Sequence, residues 1–325
     1  MKKELESKSS RFTDTLKYLW NGLGVWLICI IIFTLLAVST KTFLSSNNLI
    51  NVVRQVAVTG IVALGATFVV LSGEIDLSQG SVVALIGCIC AKLIVESGMS
   101  VALSIVISLV IGCLIMTVIG IIISVAGVPS FIATLGLQYV ILGVVLLLTN
   151  SIPIIGLPDS FTYIARGYIG GIPLSAIILF VVFILGAFAL KYFPFGRNVI
   201  VVGENPLVAE LSGIRVTMTK ILVYSLAGVT SSLGGIVLAS RLGSGQPSSG
   251  TDVSLMALAA VFIGSASKGG VMSTLAGTLI IGMISNGLNL LGVAAAWKNV
   301  ALGSIIITAV ALDVAKSRRA KRDMS

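Results

Sequence analysis

Few side chains in this sequence could do acid–base or ligand chemistry, and those that could stand in unusual places. The stretch Ser72-Gly73-Glu74-Ile75-Asp76-Leu77-Ser78-Gln79-Gly80 sets two carboxylates between long apolar runs. A charge at the bilayer centre costs about 2.5–3.5 kcal/mol on the insertion scale, so this loop either reaches a membrane surface or lines a wet cavity. Asp76 and Ser78 can cap the helix beginning near Leu77. Alternatively, with Glu74, they form a gate at a broken helix, a device transporters use around a cavity. Thr134 and Gln138 are four residues apart, and Asn286 and Asn289 three apart, so each pair is expected on one helix face. Such side chains in an apolar helix need a partner, either a neighbouring helix or a polar solute. The chain contains no histidine, the commonest metal ligand and general base. Cys29, Cys88, Cys90 and Cys113 lie inside apolar runs with no zinc-type spacing, and read as small packing residues. No catalytic residue and no metal site is expected, and no cofactor bound by this chain.

The elements that must position these residues are long and oily. Of 325 residues, 57% are hydrophobic and 10% charged, against about 25% charged in a soluble domain. The apolar runs approach the roughly 20 residues needed to cross a hydrocarbon core. They are continuous rather than alternating, and backbone groups in lipid must be satisfied within the segment, so they predict helices. Ten spans are expected, near 20–39, 52–71, 80–96, 101–124, 131–149, 174–190, 219–239, 254–267, 272–290 and 298–315. The fold class is therefore all-α, a polytopic membrane protein. Residues 1–19 are expected as a cytoplasmic N-terminal segment, 20–315 as the transmembrane domain with a cytoplasmic loop at 191–219, and 316–325 as a basic cytoplasmic tail. The first span, lacking a small-residue cleavage site, reads as uncleaved.

Charge orients the bundle. With the N-terminus inside, 15 of the 21 Lys and Arg fall on the cytoplasmic side, in the N-terminal segment, at Lys191, Arg197, Arg215, Lys220 and Lys268, and in the tail. Lys41, Arg54, Lys92, Arg166, Arg241 and Lys298 fall outside. That excess follows the positive-inside pattern, so both termini are expected in the cytoplasm. The net charge of +9 flanks apolar spans without interleaved stacking aromatics, so nucleic acid is not an expected partner. Two external loops, Asn150–Pro173 and Ser240–Asp252, are rich enough in Gly, Pro and Ser to make folded surfaces.

Within the 191–220 segment, Glu204-Asn205-Pro206-Leu207-Val208-Ala209-Glu210-Leu211-Ser212-Gly213-Ile214 reads as a short isolated helix. Asn205 suits the N-cap, Pro206 the first helical position and Gly213 the left-handed C-cap. Leu207, Leu211 and Ile214 share one face. A helix this short needs a surface to dock on. It lies on headgroups or its own bundle, or it is a knob for a socket on a cytoplasmic partner.

These segments together resemble a known family. GEIDLSQGS (73–81), PSFIATLG (129–136), FGRN (195–198), ENPLVAELSGI (204–214), KILVYSLAG (220–228), ASRLGSGQP (239–247) and SNGLNLLGV (285–293) are similar to the ribose-type (monosaccharide) branch of ABC importer permeases, within the branched-chain amino acid/ribose permease superfamily. The resemblance runs in order from about residue 40 to 313. It implies a permease subunit of the bacterial inner membrane, paired with a second permease subunit as homodimer or heterodimer. A separate cytoplasmic ABC ATPase would consume ATP and Mg, and an extracytoplasmic binding protein would deliver a ribose-like monosaccharide or small polyol. It further implies that Asn205, Pro206, Leu207, Glu210, Leu211, Ser212 and Gly213 couple to the ATPase. One stretch departs from the pattern: relatives usually carry Glu and Asp where Ser254 and Met256 stand, and Gly-Gly-Thr-Ser where Gly264-Ser265-Ala266-Ser267 stand.

No GxxxxGK[ST] motif occurs, so the chain is not expected to hydrolyse ATP. An ion-coupled secondary transporter would use Glu74 and Asp76 as its charged intramembrane residues. A membrane enzyme would need a catalytic constellation that is not apparent.

Overall fold

The computed structural model describes residues 24–265 and 270–294, with 296–297, 299–301, 303–305, 307–308 and 311. The chain is mostly helical. In order come α1 (Gly24–Ser39), α2 (Ser46–Leu71), α3 (Gln79–Val95), α4 (Val101–Val125), α5 (Ser130–Thr149), β1 (Ile154–Ile155), α6 (Asp159–Arg166), β2 (Tyr168–Ile169) and β3 (Ile172–Pro173). Then follow α7 (Leu174–Tyr192), α8 (Pro194–Glu204), α9 (Pro206–Leu211), α10 (Val216–Leu242), β4 (Ser244–Gly245), α11 (Thr251–Ser265) and α12 (Val271–Leu290). Among the described residues, α2, α4, α5, α7, α10 and α12 are long and apolar enough to cross a membrane, and α1, α3 and α11 are shorter apolar helices. Each of the first nine expected apolar runs therefore coincides with a helix. The tenth, 298–315, and both charged ends fall wholly or partly outside the described residues.

The chain divides into two compact units, one of Ser46–Leu258 and the other of the residues before Ser46 with those from Ala259 onward. In the larger unit α10 is the hub, packed against α4, α2 and α3. At 27 residues it is about 40 Å long at 1.5 Å per residue, longer than a hydrocarbon core. Glycines let its neighbours come close: a methyl on Gly235 would sit 2.4 Å from the Val83 carbonyl oxygen, and one on Gly228 2.5 Å from that of Gly112. Such contact supplies the dispersion that holds helices together where no hydrophobic drive exists. In the smaller unit α12 meets the later part of α11 in the same way, with Gly277 against the Ala260 backbone.

Helix α8 was not expected as a separate element. Pro194 opens it at a position that needs no amide donor, and Gly196, Val199 and Val202 bury one face. Phe195 stacks on Phe68 of α2 with ring centroids 5.9 Å apart, anchoring α8 to the bundle.

The 150–173 and 240–252 loops form one small folded cap. β1 pairs antiparallel with β4, joining the two loops, and β2 with β3. Arg54 of α2 donates to the Arg166 carbonyl at the end of α6 at 2.6 Å, and Arg166 donates to the Arg241 carbonyl in the last turn of α10 at 2.9 and 3.1 Å. Each guanidinium thus meets the negative end of a helix. α7, 19 residues or about 28 Å long, separates this cap from α8 and α9.

Candidate functional site

The α2–α3 break and α9 collect most of the side chains singled out above. α2 stops because Gly73 takes a left-handed φ of +82°. The Gly73 amide donates to the Val70 carbonyl and the Glu74 amide to that of Val69, a closed C-terminal turn that needs a residue without Cβ strain. Residues 74–78 then run without helix before α3 begins.

Irregular backbone at membrane depth survives only where its polar groups find partners. Here hydroxyls supply them. The Ile75 amide donates to Ser130 Oγ at 3.4 Å and the Leu77 amide to Thr134 Oγ1 at 3.3 Å, both from the first two turns of α5. From α11, Ser254 Oγ donates to the Leu77 carbonyl at 3.0 Å and accepts the Gly80 amide, one of the donors the start of α3 leaves open. An ionised glutamate at 254 could accept but could not donate. Ser254 serves as donor and acceptor at once.

Asp76 is 1% exposed. Its Oδ1 accepts from the Ser78 amide at 2.8 Å and from Ser78 Oγ at 2.6 Å, which orders the chain ahead of α3, but Ser78 at the N-cap makes no side-chain capping bond to the helix. Its Oδ2, both ends of the Gln79 amide and the Tyr224 hydroxyl make no hydrogen bond of good geometry, although Gln79 lies beside Asp76 and Ser130 beside Tyr224. Tyr224, fully buried on α10, lies within electrostatic reach of Asp76 and Glu74. The break thus holds several buried polar atoms with capacity to spare. Such atoms ordinarily find water or a ligand group. Glu74, the other carboxylate, is paired with Lys220 of α10.

Thr134 is buried at the break, while Gln138, one turn further along α5, is half-buried. Asn286 is buried and Asn289 exposed in α12, so the face expected to be shared is divided between two environments. Three residues turn a helix through about 300°, enough to place them on either side of a burial boundary.

Helix α9 carries the caps its sequence predicts. Asn205 Oδ1 accepts from the amides of Leu207 at 3.0 Å and Val208 at 3.2 Å. Gly213, at φ +79°, donates to the Glu210 carbonyl while Ile214 donates to that of Ala209. Ala209 is buried, whereas Leu207, Val208 and Leu211 are 65%, 50% and 81% exposed. Pro206, Glu210 and Ser212 are also exposed. Beside this knob lie a hollow of about 600 Å³ including Glu210, Arg215 and Met218, and another of about 450 Å³ including Phe195, Asn198 and Leu222.

Nothing local in the sequence marks Ser130 or Lys220 as part of this arrangement, because their partners are distant in the chain. A lysine near the start of a long apolar helix, in a chain with two carboxylates set between apolar runs, is the one signal that could have found Lys220. Among the described residues no group of acidic, histidine or cysteine side chains could hold a metal ion.

The family described as the permease component of the branched-chain amino acid transport system matches residues 48–310. The ribose import permease protein RbsC of Bacillus subtilis (strain 168) is 40% identical over 320 residues, covering 97% of this chain and 98% of that protein. The D-allose transport system permease protein AlsC of Escherichia coli (strain K12) is 32% identical over 90% of this chain and 92% of its own. The xylose transport system permease protein XylH of Haemophilus influenzae is 30% identical, over 92% and 98%. No solved structure matches.

Proposed function

Since the chain belongs to the family of branched-chain amino acid transport system permease components, a multi-pass protein of the bacterial inner membrane, we propose that it is the membrane-spanning permease subunit of an ATP-binding-cassette importer. Its solute is a ribose-like monosaccharide or small polyol, in line with the ribose, allose and xylose permeases to which it is similar. An extracytoplasmic binding protein delivers that solute, a second permease subunit completes the pathway, and a separate cytoplasmic ATPase supplies the drive. Ten spans with both termini inside put α9, the 191–219 loop and the basic tail on the ATPase side. The folded cap of β1, β4 and α6 then faces the binding protein. The absence of a GxxxxGK[ST] motif from the sequence supports assigning hydrolysis to another chain.

The observation that carries this reading is α9. A six-residue helix that caps both its ends and leaves two leucines and a valine in the open is built to be covered. Asn205, Pro206 and Gly213 set its shape, and Leu207, Glu210, Leu211 and Ser212 present the surface. The break at Glu74, Asp76, Ser78 and Thr134 is the gate region of the pathway, with Gln138, Asn286 and Asn289 as further polar positions along it. The ion-coupled alternative is weaker, because Glu74 is engaged by Lys220 rather than open to a cation. The test is co-purification of the ATPase with wild-type and Leu211→Arg chains, with uptake measured on the same preparations. Loss of both in a normally inserted variant supports the reading, and retention of both overturns it.

A further inference from the structure

The α2–α3 break is gripped by both flanks of α9. Upstream, Gly203 near the end of α8 lies against the end of α2. A methyl group on it would come within 1.9 Å of the Leu71 carbonyl oxygen and 3.1 Å of the Gly73 nitrogen. Downstream, Lys220 in the second turn of α10 pairs with Glu74. One grip is bare backbone on backbone, the other a charge pair, and they take hold of successive residues between 71 and 74. In sequence α9 lies between them. The segment joining them is stiff: Asn205 caps α9 at one end, Gly213 closes it at the other, and Val216 starts α10 three residues later.

The charge pair suits a link that must hold and also move. Its side chains are 19% and 13% exposed, so attraction is weakly screened. Beside it a cavity of about 330 Å³ is lined by Ser124, Ser130 and Thr217 as well as the pair itself, polar room in which the charges can separate without being stranded in hydrocarbon. Glu74 stands two residues from Asp76, whose carboxylate sets the entry to α3.

We propose that Gly203 and Lys220 are positioning residues that couple α9 to the α2–α3 break, delivering a push on α9 to residues 71–76. This rests on the reading of α9 as the ATPase-docking element.

The test uses the reconstituted complex of this chain with its ATPase and binding protein, and measures solute moved per ATP hydrolysed alongside ATPase co-purification. Lys220→Met should co-purify with the ATPase yet move about tenfold less solute per ATP, within the usual range of a coupling between sites. Lys220→Arg should keep the ratio, and Glu74→Lys combined with Lys220→Glu should recover it. Gly203→Ala, which disturbs only the other grip, should lower it as well. Assembled Lys220→Met and Gly203→Ala complexes with the wild-type ratio would overturn the link while leaving docking intact. If Lys220→Met does not assemble, the exchanged pair decides: recovery supports the link, and an assembled but uncoupled exchange refutes it. Co-purification surviving Leu211→Arg would instead remove the docking reading and this inference with it.

Discussion

The α9 knob and the α2–α3 break violate opposite halves of the same rule. α9 exposes Leu207 and Leu211, while the break buries Asp76, Ser78 and Gln79. Neither departure is stabilising on its own. Exposed leucines forgo the burial that stabilises a fold, worth about 1.5–3 kcal/mol for each full side chain. A buried carboxylate needs donors placed around it. The break is held by its own bundle, through hydroxyls from α5 and α11 and the ammonium of Lys220. The knob is held by its caps and by Ala209, buried where α9 packs against α8 and α10, and its leucines are left open. One region therefore has its irregular backbone held within the subunit, and the other leaves apolar side chains uncovered.

The sharpest way to break this contrast is Leu211→Arg. If α9 is a docking surface, loss of a central leucine should weaken ATPase binding by about 2 kcal/mol or more, roughly thirtyfold, in a co-purification titration. Its effect on the melting temperature of the isolated subunit should be negligible, because the side chain is 81% exposed. Asp76→Ala should do the reverse. It strands the Ser78 amide and hydroxyl, at about 1–3 kcal/mol, and should lower the thermal midpoint in detergent while ATPase binding persists. Asp76→Asn, which keeps an acceptor, should recover most of that loss. An unchanged midpoint for the alanine variant would mean the carboxylate does not hold the entry to α3.

Ser254→Ala tests the same region more gently. It removes one hydroxyl serving both Gly80 and Leu77, with an expected cost of about 1 kcal/mol in the same melt. The smallest expected effect comes from a matched pair. Gly73→Ala and Gly213→Ala each force a left-handed backbone on alanine, about 1 kcal/mol apiece. Gly73→Ala should register in subunit stability, and Gly213→Ala in ATPase affinity, since nothing lies within 4 Å of a methyl placed there. Equal behaviour of the two would erase the distinction between the regions.

Much of this was legible in the sequence because membrane helices announce themselves locally. The runs at 101–124 and 174–190 became α4 and α7 within a few residues, since each is continuous apolar chain bounded by turn residues. The caps of α9 were equally readable, because Asn205, Pro206 and Gly213 act on their immediate neighbours. The separate α8 was hidden by the short, mixed character of Phe195-Gly196-Arg197-Asn198, whose helix packs against α7, α10 and α2, with Phe195 stacked on Phe68. At the break, Glu74 and Asp76 were visible as misplaced charges. Lys220, which pairs with Glu74, and Ser130 and Ser254, which hold the backbone beside the carboxylates, are more than 50 residues away and belong to no local pattern. Asn286 and Asn289 show the converse limit: spacing gives the angle between two side chains but not where the burial boundary falls.

The most direct test of an ATP-driven permease is uptake of radiolabelled ribose-like sugar into proteoliposomes containing the purified subunit, with and without its ATPase, binding protein and ATP. Accumulation is expected only when all are present. Uptake by the subunit alone, or driven by an imposed ion gradient without ATP, would contradict it.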